Sequence, residues 1–98
     1  MTQPADELSV RARIVVHGRV QGVGFRAFAA RVAMDLELVG GVRNLFDGRV
    51  EVDVEGTRSV IDVLEHQLRI GPPSARVTRI EAEWGVATGQ YSTFDIWY

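Results

Sequence analysis

Val16-His17-Gly18-Arg19-Val20-Gln21-Gly22-Val23-Gly24-Phe25-Arg26 reads as a strand that ends in a glycine-bearing loop and passes directly into a helix. Upstream, Val10, Ala12, Ile14 and Val16 alternate with Arg11, Arg13 and Val15, the period of two that a half-buried strand requires. Downstream, Phe25, Phe28, Ala29, Val32, Ala33 and Leu36 repeat at the spacing of one helix face. Between them the glycines let the backbone turn its N–H groups inward, and the start of the helix adds unpaired donors and a partial positive charge. Such a loop is a cradle for an anion. Phosphate suits it best, because Arg26 adds a planar, bidentate fork to the ring of amide donors. Arg26 is one residue off the apolar stripe, so its head is expected to swing back over the loop. Two better-known phosphate loops are excluded: the chain contains no lysine, and Gly18, Gly22 and Gly24 do not fit Gly-x-Gly-x-x-Gly.

Ninety-eight residues with 46% apolar content are enough for one domain with one core. The absence of cysteine removes disulfides, a thiolate nucleophile and thiolate metal sites. Residues 1–8 are expected to be a flexible, acidic lead-in to a domain at 9–98, and no secretory signal or membrane-length apolar run is visible. The expectation is a cytoplasmic protein without a membrane partner. A net charge of −2 argues against general polyanion binding.

Further along, Val39 to Phe46 reads as a second strand, with Asp47-Gly48 as a two-residue hairpin signal. In the third strand Val50, Val52 and Val54 alternate with Glu51, Asp53 and Glu55, which predicts one core face and one wet face. Ser59 to Asp62 has the spacing of a capping box opening a second helix, with Val60, Ile61, Leu64 and Leu68 inward and Gly71-Pro72-Pro73 ending it. A fourth strand from about Ala75 to Trp84 slips phase between Val77 and Ile80, which indicates a bulge or a change of face. Phe94, Ile96 and Tyr98 form a short last strand. The order β-α-β-β-α-β plus a terminal strand predicts a ferredoxin-like α+β sandwich, an antiparallel sheet with both helices on one face.

Few residues could carry chemistry. A cation in the first turn of a helix costs about a few tenths of a kcal/mol unless an anion compensates it, so Arg26, read alone as a surface charge, becomes a binding candidate once the loop is considered. Asn44 shares the phase of Val42 and Phe46. By spacing alone the commoner reading is a strand-end asparagine satisfying backbone, but a neutral amide can also orient a water by donating and accepting. His17 and His66 are discounted as bases, since His17 stands without a nearby carboxylate in sequence and His66 lies among polar neighbours. No metal-ligand spacing and no activated serine is present.

On these residues the chain resembles the acylphosphatase family. The resemblance is carried by residues 16–26, by Gly41-Val42-Arg43-Asn44 with Asp47-Gly48-Arg49-Val50-Glu51-Val52, by Glu55-Gly56, by Gly71-Pro72-Pro73-Ser74-Ala75-Arg76-Val77 and by Phe94-Asp95-Ile96. It implies hydrolysis of small acyl phosphates to carboxylate and inorganic phosphate, by water attack on phosphorus, with no cofactor, metal or covalent intermediate. It implies Arg26 and Asn44 as catalytic residues and Arg19, Val20, Gln21, Gly22, Val23, Gly24 and Phe25 as the phosphate-binding loop. A monomer is expected. The chain departs from the family pattern at Glu37, where a glycine often ends the first helix, at Gly41, where a tryptophan is common, and at Trp97, where an arginine is frequent.

Two other readings are open at this point. One is a module that binds carbamoyl phosphate or another acyl phosphate as part of a larger system, as the related N-terminal domain of hydrogenase-maturation proteins does; the lack of the zinc-finger and transferase segments that accompany it there favours a freestanding enzyme. The other is a ferredoxin-like nucleic-acid binder, which would need stacking aromatics on the central strands where this chain has Val, Ala, Ile, Arg and acids. No nucleic-acid partner is expected.

Overall fold

A computed structural model describes residues 8–98; most of the expected lead-in lies outside the described residues. The elements are β1 (Ser9–Arg19), α1 (Phe25–Asp35), β2 (Val39–Asn44), β3 (Val50–Thr57), α2 (Arg58–Ile70), β4 (Arg76–Val86) and β5 (Phe94–Ile96). They build one sheet in the order β4-β1-β3-β2-β5, a ferredoxin-like α+β sandwich. The sheet is mixed and not wholly antiparallel as the sequence predicts, because β5 pairs with β2 in parallel, Gly40 with Phe94 and Val42 with Ile96. The cause is topological: β4 and β5 occupy opposite edges, so the chain between them must cross the sheet.

The alternating positions of β1 and β3 put Ala12, Ile14, Val16, Val50, Val52 and Val54 on one face, where they meet Phe25, Ala29 and Ala33 of α1 and Ile61, Leu64 and Leu68 of α2. Burying these side chains is the main drive to form the sandwich, each large aliphatic contributing about 1.5–3 kcal/mol. The predicted slip in β4 is real. His17 pairs with Arg79 and Gly18 with Val77, leaving Thr78 as the extra residue of a bulge. Gly18 has φ 126°, and a Cβ there would overlap the Arg76 carbonyl, so glycine is required.

Two local expectations are corrected. The capping box at Ser59 does not form; Thr57 occupies the N-cap of α2 without a side-chain cap hydrogen bond, because β3 runs directly into the helix. The hairpin after β2 uses three residues instead of two. Leu45 N–H donates to the Arg49 carbonyl at 2.8 Å and Gly48 N–H to the Leu45 carbonyl at 3.3 Å, with Gly48 at φ 98°, the αL third position of such loops. Strand β2 therefore stops at Asn44, and Phe46 is exposed at the tip instead of continuing the apolar phase.

The largest departure is on the open face of the sheet, predicted to be wet. Glu51, Asp53 and Glu55 are 3%, 7% and 3% exposed. Arg11 grips Asp53 through two hydrogen bonds of 2.8 and 2.6 Å, while Arg13 and Arg43 both donate to Glu51. The connector from β4 to β5 lies over the row: Thr88 and Gly89 N–H each donate to Glu55 Oε1 at 3.0 Å and the Thr88 hydroxyl to Oε2 at 2.6 Å. Tyr91 reaches Asp53 at 3.5 Å. Burial and the charge of Asp53 raise the Tyr91 phenol above its ordinary pKa, so it stays a donor. His17, read from sequence as lacking a carboxylate, is bonded on this same face to Glu81 at 2.6 Å.

Two of the three positions where the chain departs from the pattern it resembles, Gly41 and Trp97, are in contact. The Trp97 indole lies in the space above Gly41, where any Cβ would strike the ring, and it packs against Tyr91 with centroids 5.7 Å apart. Glu37 takes φ 57°, the left-handed conformation that closes α1 and that glycine adopts without strain.

Gly41→Ala is expected to destabilise the protein by about 1–3 kcal/mol through overpacking in urea denaturation, and most of that loss should vanish in a Trp97→Ala background. A second outcome concerns acid. Burial pushes the Glu55 carboxyl up, but the bonds from Thr88 and Gly89 outweigh it and hold it below its usual value. A carboxyl depressed in the folded state stabilises above the unfolded value of about 4.3 and loses that contribution as pH falls through the folded one. Stability measured against pH should therefore fall less steeply below about pH 4.3 in Glu55→Gln than in the parent.

Candidate active site

The loop between β1 and α1 is shaped by two left-handed glycines, Gly22 at φ 74° and Gly24 at φ 77°. Gly24 is also the N-cap of α1, and it brings no side-chain cap and no acidic residue to the first turn. The early amides of the helix thus keep their donors for something other than the protein. Apolar anchors hold both ends of the loop: Val20 and Phe25 are each 1% exposed, and Phe25 packs against Phe28 with centroids 5.9 Å apart.

A cleft of about 220 Å³ opens here, lined by Val20, Gly22, Gly24, Phe25, Arg26, Ala27, Asn44, Ile96 and Tyr98. Arg26 is half-buried on the first turn of α1, with its guanidinium carbon 5.0 Å from the centroid of the Tyr98 ring. A cation–π contact of this kind holds the guanidinium at the cleft wall without using up its N–H donors. Among the described residues the ion pairs use Arg11, Arg13, Arg43, Arg49, Arg69 and Arg79, and none uses Arg26. Asn44 is the last residue of β2, opposite Val50. It follows the phase of buried Val42 to the helix side of the sheet but is half-buried at the cleft wall, and no side-chain hydrogen bond among the described residues uses its amide.

The fold therefore brings together Arg26, Asn44, Val20, Gly22, Gly24 and Phe25 from the sequence-derived set. The remaining three lie apart from the cleft lining. Arg19 is exposed at the end of β1, and Val23 packs against the core. Gln21 turns its side-chain amide to the β2–β3 hairpin, donating to the carbonyls of Leu45 at 2.7 Å and Arg49 at 3.0 Å. Ile96 and Tyr98 enter the site without having been singled out. Their phase was visible, but they reach the cleft only because β5 docks beside β2, which no local pattern specifies. No group of three or more His, Cys, Asp or Glu among the described residues has metal-holding geometry.

The cleft can do one kind of chemistry well. It offers backbone donors and a guanidinium for a compact, multiply charged oxyanion, an uncharged amide beside it, and an apolar wall for whatever the anion is attached to.

Comparison with known proteins gives the same family from sequence and from shape. The family model described as Acylphosphatase matches residues 12–96. The acylphosphatase of Anaeromyxobacter dehalogenans (strain 2CP-C) is 52% identical over 87 residues, covering 89% of this chain and 94% of that protein. The crystal structure of acylphosphatase from Bacillus subtilis superposes with a TM-score of 0.88 at 37% identity, covering 91% of this chain and 99% of that one. The crystal structure of HypF from T. kodakarensis matches with a TM-score of 0.77 at 38% identity, over 89% of this chain but 12% of that longer chain.

Inorganic phosphate is expected to raise the melting temperature, a ligand at 100 times its Kd adding about 2.7 kcal/mol. Arg26→Ala should abolish most of that shift in a thermal scan against phosphate concentration.

Proposed function

This chain belongs to the acylphosphatase family, and from that premise we propose that its cleft cleaves small acyl phosphates with Arg26 holding the phosphate and Asn44 positioning the water. The activity of the family is that of a hydrolase acting on the acid anhydride between a carboxyl group and phosphate. The observation that carries the assignment of roles is the meeting of Arg26 and Asn44 in one cleft with Gly22 and Gly24.

The loop amides and the N–H edges of Arg26 receive the phosphoryl oxygens. In the transition state charge spreads over the three equatorial oxygens, and pre-aimed donors stabilise it without reorganising. Asn44 accepts from and donates to a water on the side of phosphorus opposite the departing carboxylate. The leaving group needs no proton, since its conjugate acid has a pKa of about 4. This is why the cleft can work without a histidine: His17 is bonded to Glu81 and is absent from the cleft lining. The loss of one phosphoryl-binding arginine elsewhere costs far more than the loss of one polar stabiliser, and the same ranking is proposed here.

The wider setting follows the same reading: a monomer acting in the cytoplasm on a soluble small molecule, releasing inorganic phosphate, with no nucleic-acid or lipid partner. In support, no helix among the described residues is long and apolar enough to cross a membrane. The open faces of β1 and β3 carry ion pairs in place of stacking aromatics. A second reading is a module that binds an acyl phosphate as part of a larger system, and what favours it is that the T. kodakarensis HypF chain carries this fold as 12% of its length.

Benzoyl phosphate hydrolysis by EDTA-treated protein separates the two. Turnover is expected to survive EDTA, to fall about 10³-fold or more in Arg26→Ala and about 10²-fold or more in Asn44→Ala. A folded wild type that shows the phosphate-induced thermal shift but no turnover would establish the binding module instead.

A further inference from the structure

We infer that Gln21 is a positioning residue, an amide brace that fixes the spacing between the phosphate loop and the strand end carrying Asn44. The inference rests on the reading of Arg26 and Asn44 given above and deepens it. Gln21 lies in the loop immediately before Gly22, and its Nε2 donates to the carbonyls of Leu45 and Arg49 at 2.7 and 3.0 Å. These are the two carbonyls at the neck of the β2–β3 hairpin, where Leu45 N–H already donates to Arg49 at 2.8 Å. Both protons of one NH2 group are thus committed to a single target, the residue after Asn44 and its cross-strand partner.

The physical need for a brace is local. Gly22 and Gly24 give the loop its shape but carry no side chain to hold it, and α1 begins without a side-chain cap. Among the described residues, Gln21 makes the side-chain hydrogen bonds that cross from this loop to the hairpin. Arg26 and Asn44 belong to different elements, and in-line attack depends on where phosphorus sits relative to the water. A displacement of about 1 Å is enough to cost on the order of 10²-fold. Neither Nε2 proton is left for a phosphate oxygen, so the side chain acts through Asn44 and the loop backbone and does not touch substrate.

The test compares wild type with Gln21→Ala, Gln21→Glu, Arg26→Ala and Asn44→Ala. The measurements are benzoyl phosphate turnover, competitive inhibition by inorganic phosphate and melting temperature. Gln21→Ala is expected to lower kcat about 10- to 10²-fold while the inhibition constant for phosphate moves less than about threefold, because the anion cradle survives and the water is misplaced. Gln21→Glu keeps the size of the side chain but sets a carboxylate against two carbonyl oxygens, so its kcat should fall below that of Gln21→Ala. Unchanged kcat in a folded Gln21→Ala would overturn the brace, as would Gln21→Glu working as well as wild type. A loss of kcat matched by an equal loss of phosphate binding would overturn it too, marking Gln21 as part of the general scaffold. If Arg26→Ala and Asn44→Ala stay active, the assignment of the site itself fails whatever Gln21 does; if they are inactive while both Gln21 variants resemble wild type, only the brace fails.

Discussion

The Glu55 carboxylate, buried on the open face of the sheet and clasped by the amides and hydroxyl of the β4–β5 connector, is the interaction on which the completed cleft depends. A charged group removed from water is tolerated only when its oxygens are filled with donors, and Glu55 receives three from Thr88 and Gly89. That requirement draws the connector across the sheet. The connector in turn delivers β5 to the edge of β2, where Trp97 N–H donates to the Val42 carbonyl at 2.7 Å. From there Ile96 and Tyr98 reach the wall facing Arg26. An electrostatic demand on one face of the sheet thus determines the shape of a site on the other.

The acid row also shows how one sequence pattern serves two purposes. Strand β3 alternates valine with acid, which on its own says only that the two faces differ. The valines bury against the helices. Glu51 and Asp53 are neutralised by arginines from β1 and β2, with the guanidinium groups of Arg11 and Arg13 meeting the carboxylates across the strand pair, while Glu55 takes its donors from the connector. Planar forks suit such crowded positions better than a flexible ammonium, in keeping with a chain whose cations are all arginine.

What could be read in the sequence was what depends on near neighbours. The strand and helix periods, the phase slip between Val77 and Ile80 and the glycine loop with Arg26 beside it all follow from local spacing, whereas Asn44, by spacing a strand-end asparagine, is singled out for a role by the family resemblance. The burial of Glu51, Asp53 and Glu55 could not be read, since it depends on Arg11, Arg13 and Thr88, which lie more than thirty positions away. The side of the sheet taken by β5 is equally non-local, and with it the presence of Ile96 and Tyr98 beside Arg26. The hairpin and the α2 cap failed for a smaller reason. Asp47-Gly48 and Ser59 carry correct turn and cap chemistry, but the strand pairing on either side decided which residue took each place.

The bulge at Thr78 bears on how the sheet ends. Strand β4 is the outermost strand on its side and the joint-longest, eleven residues, and an unpaired edge of that length is a template on which another chain can add a strand. The extra residue breaks the regular spacing of its outward N–H and C=O groups, and Arg79, Glu81 and Glu83 place charge along the same strand. At the opposite edge β5 offers three residues, too few to seed a ladder. The two margins of the sheet are thus limited by geometry and charge, and the irregular edge on one side lies in the same strand that seats Gly18.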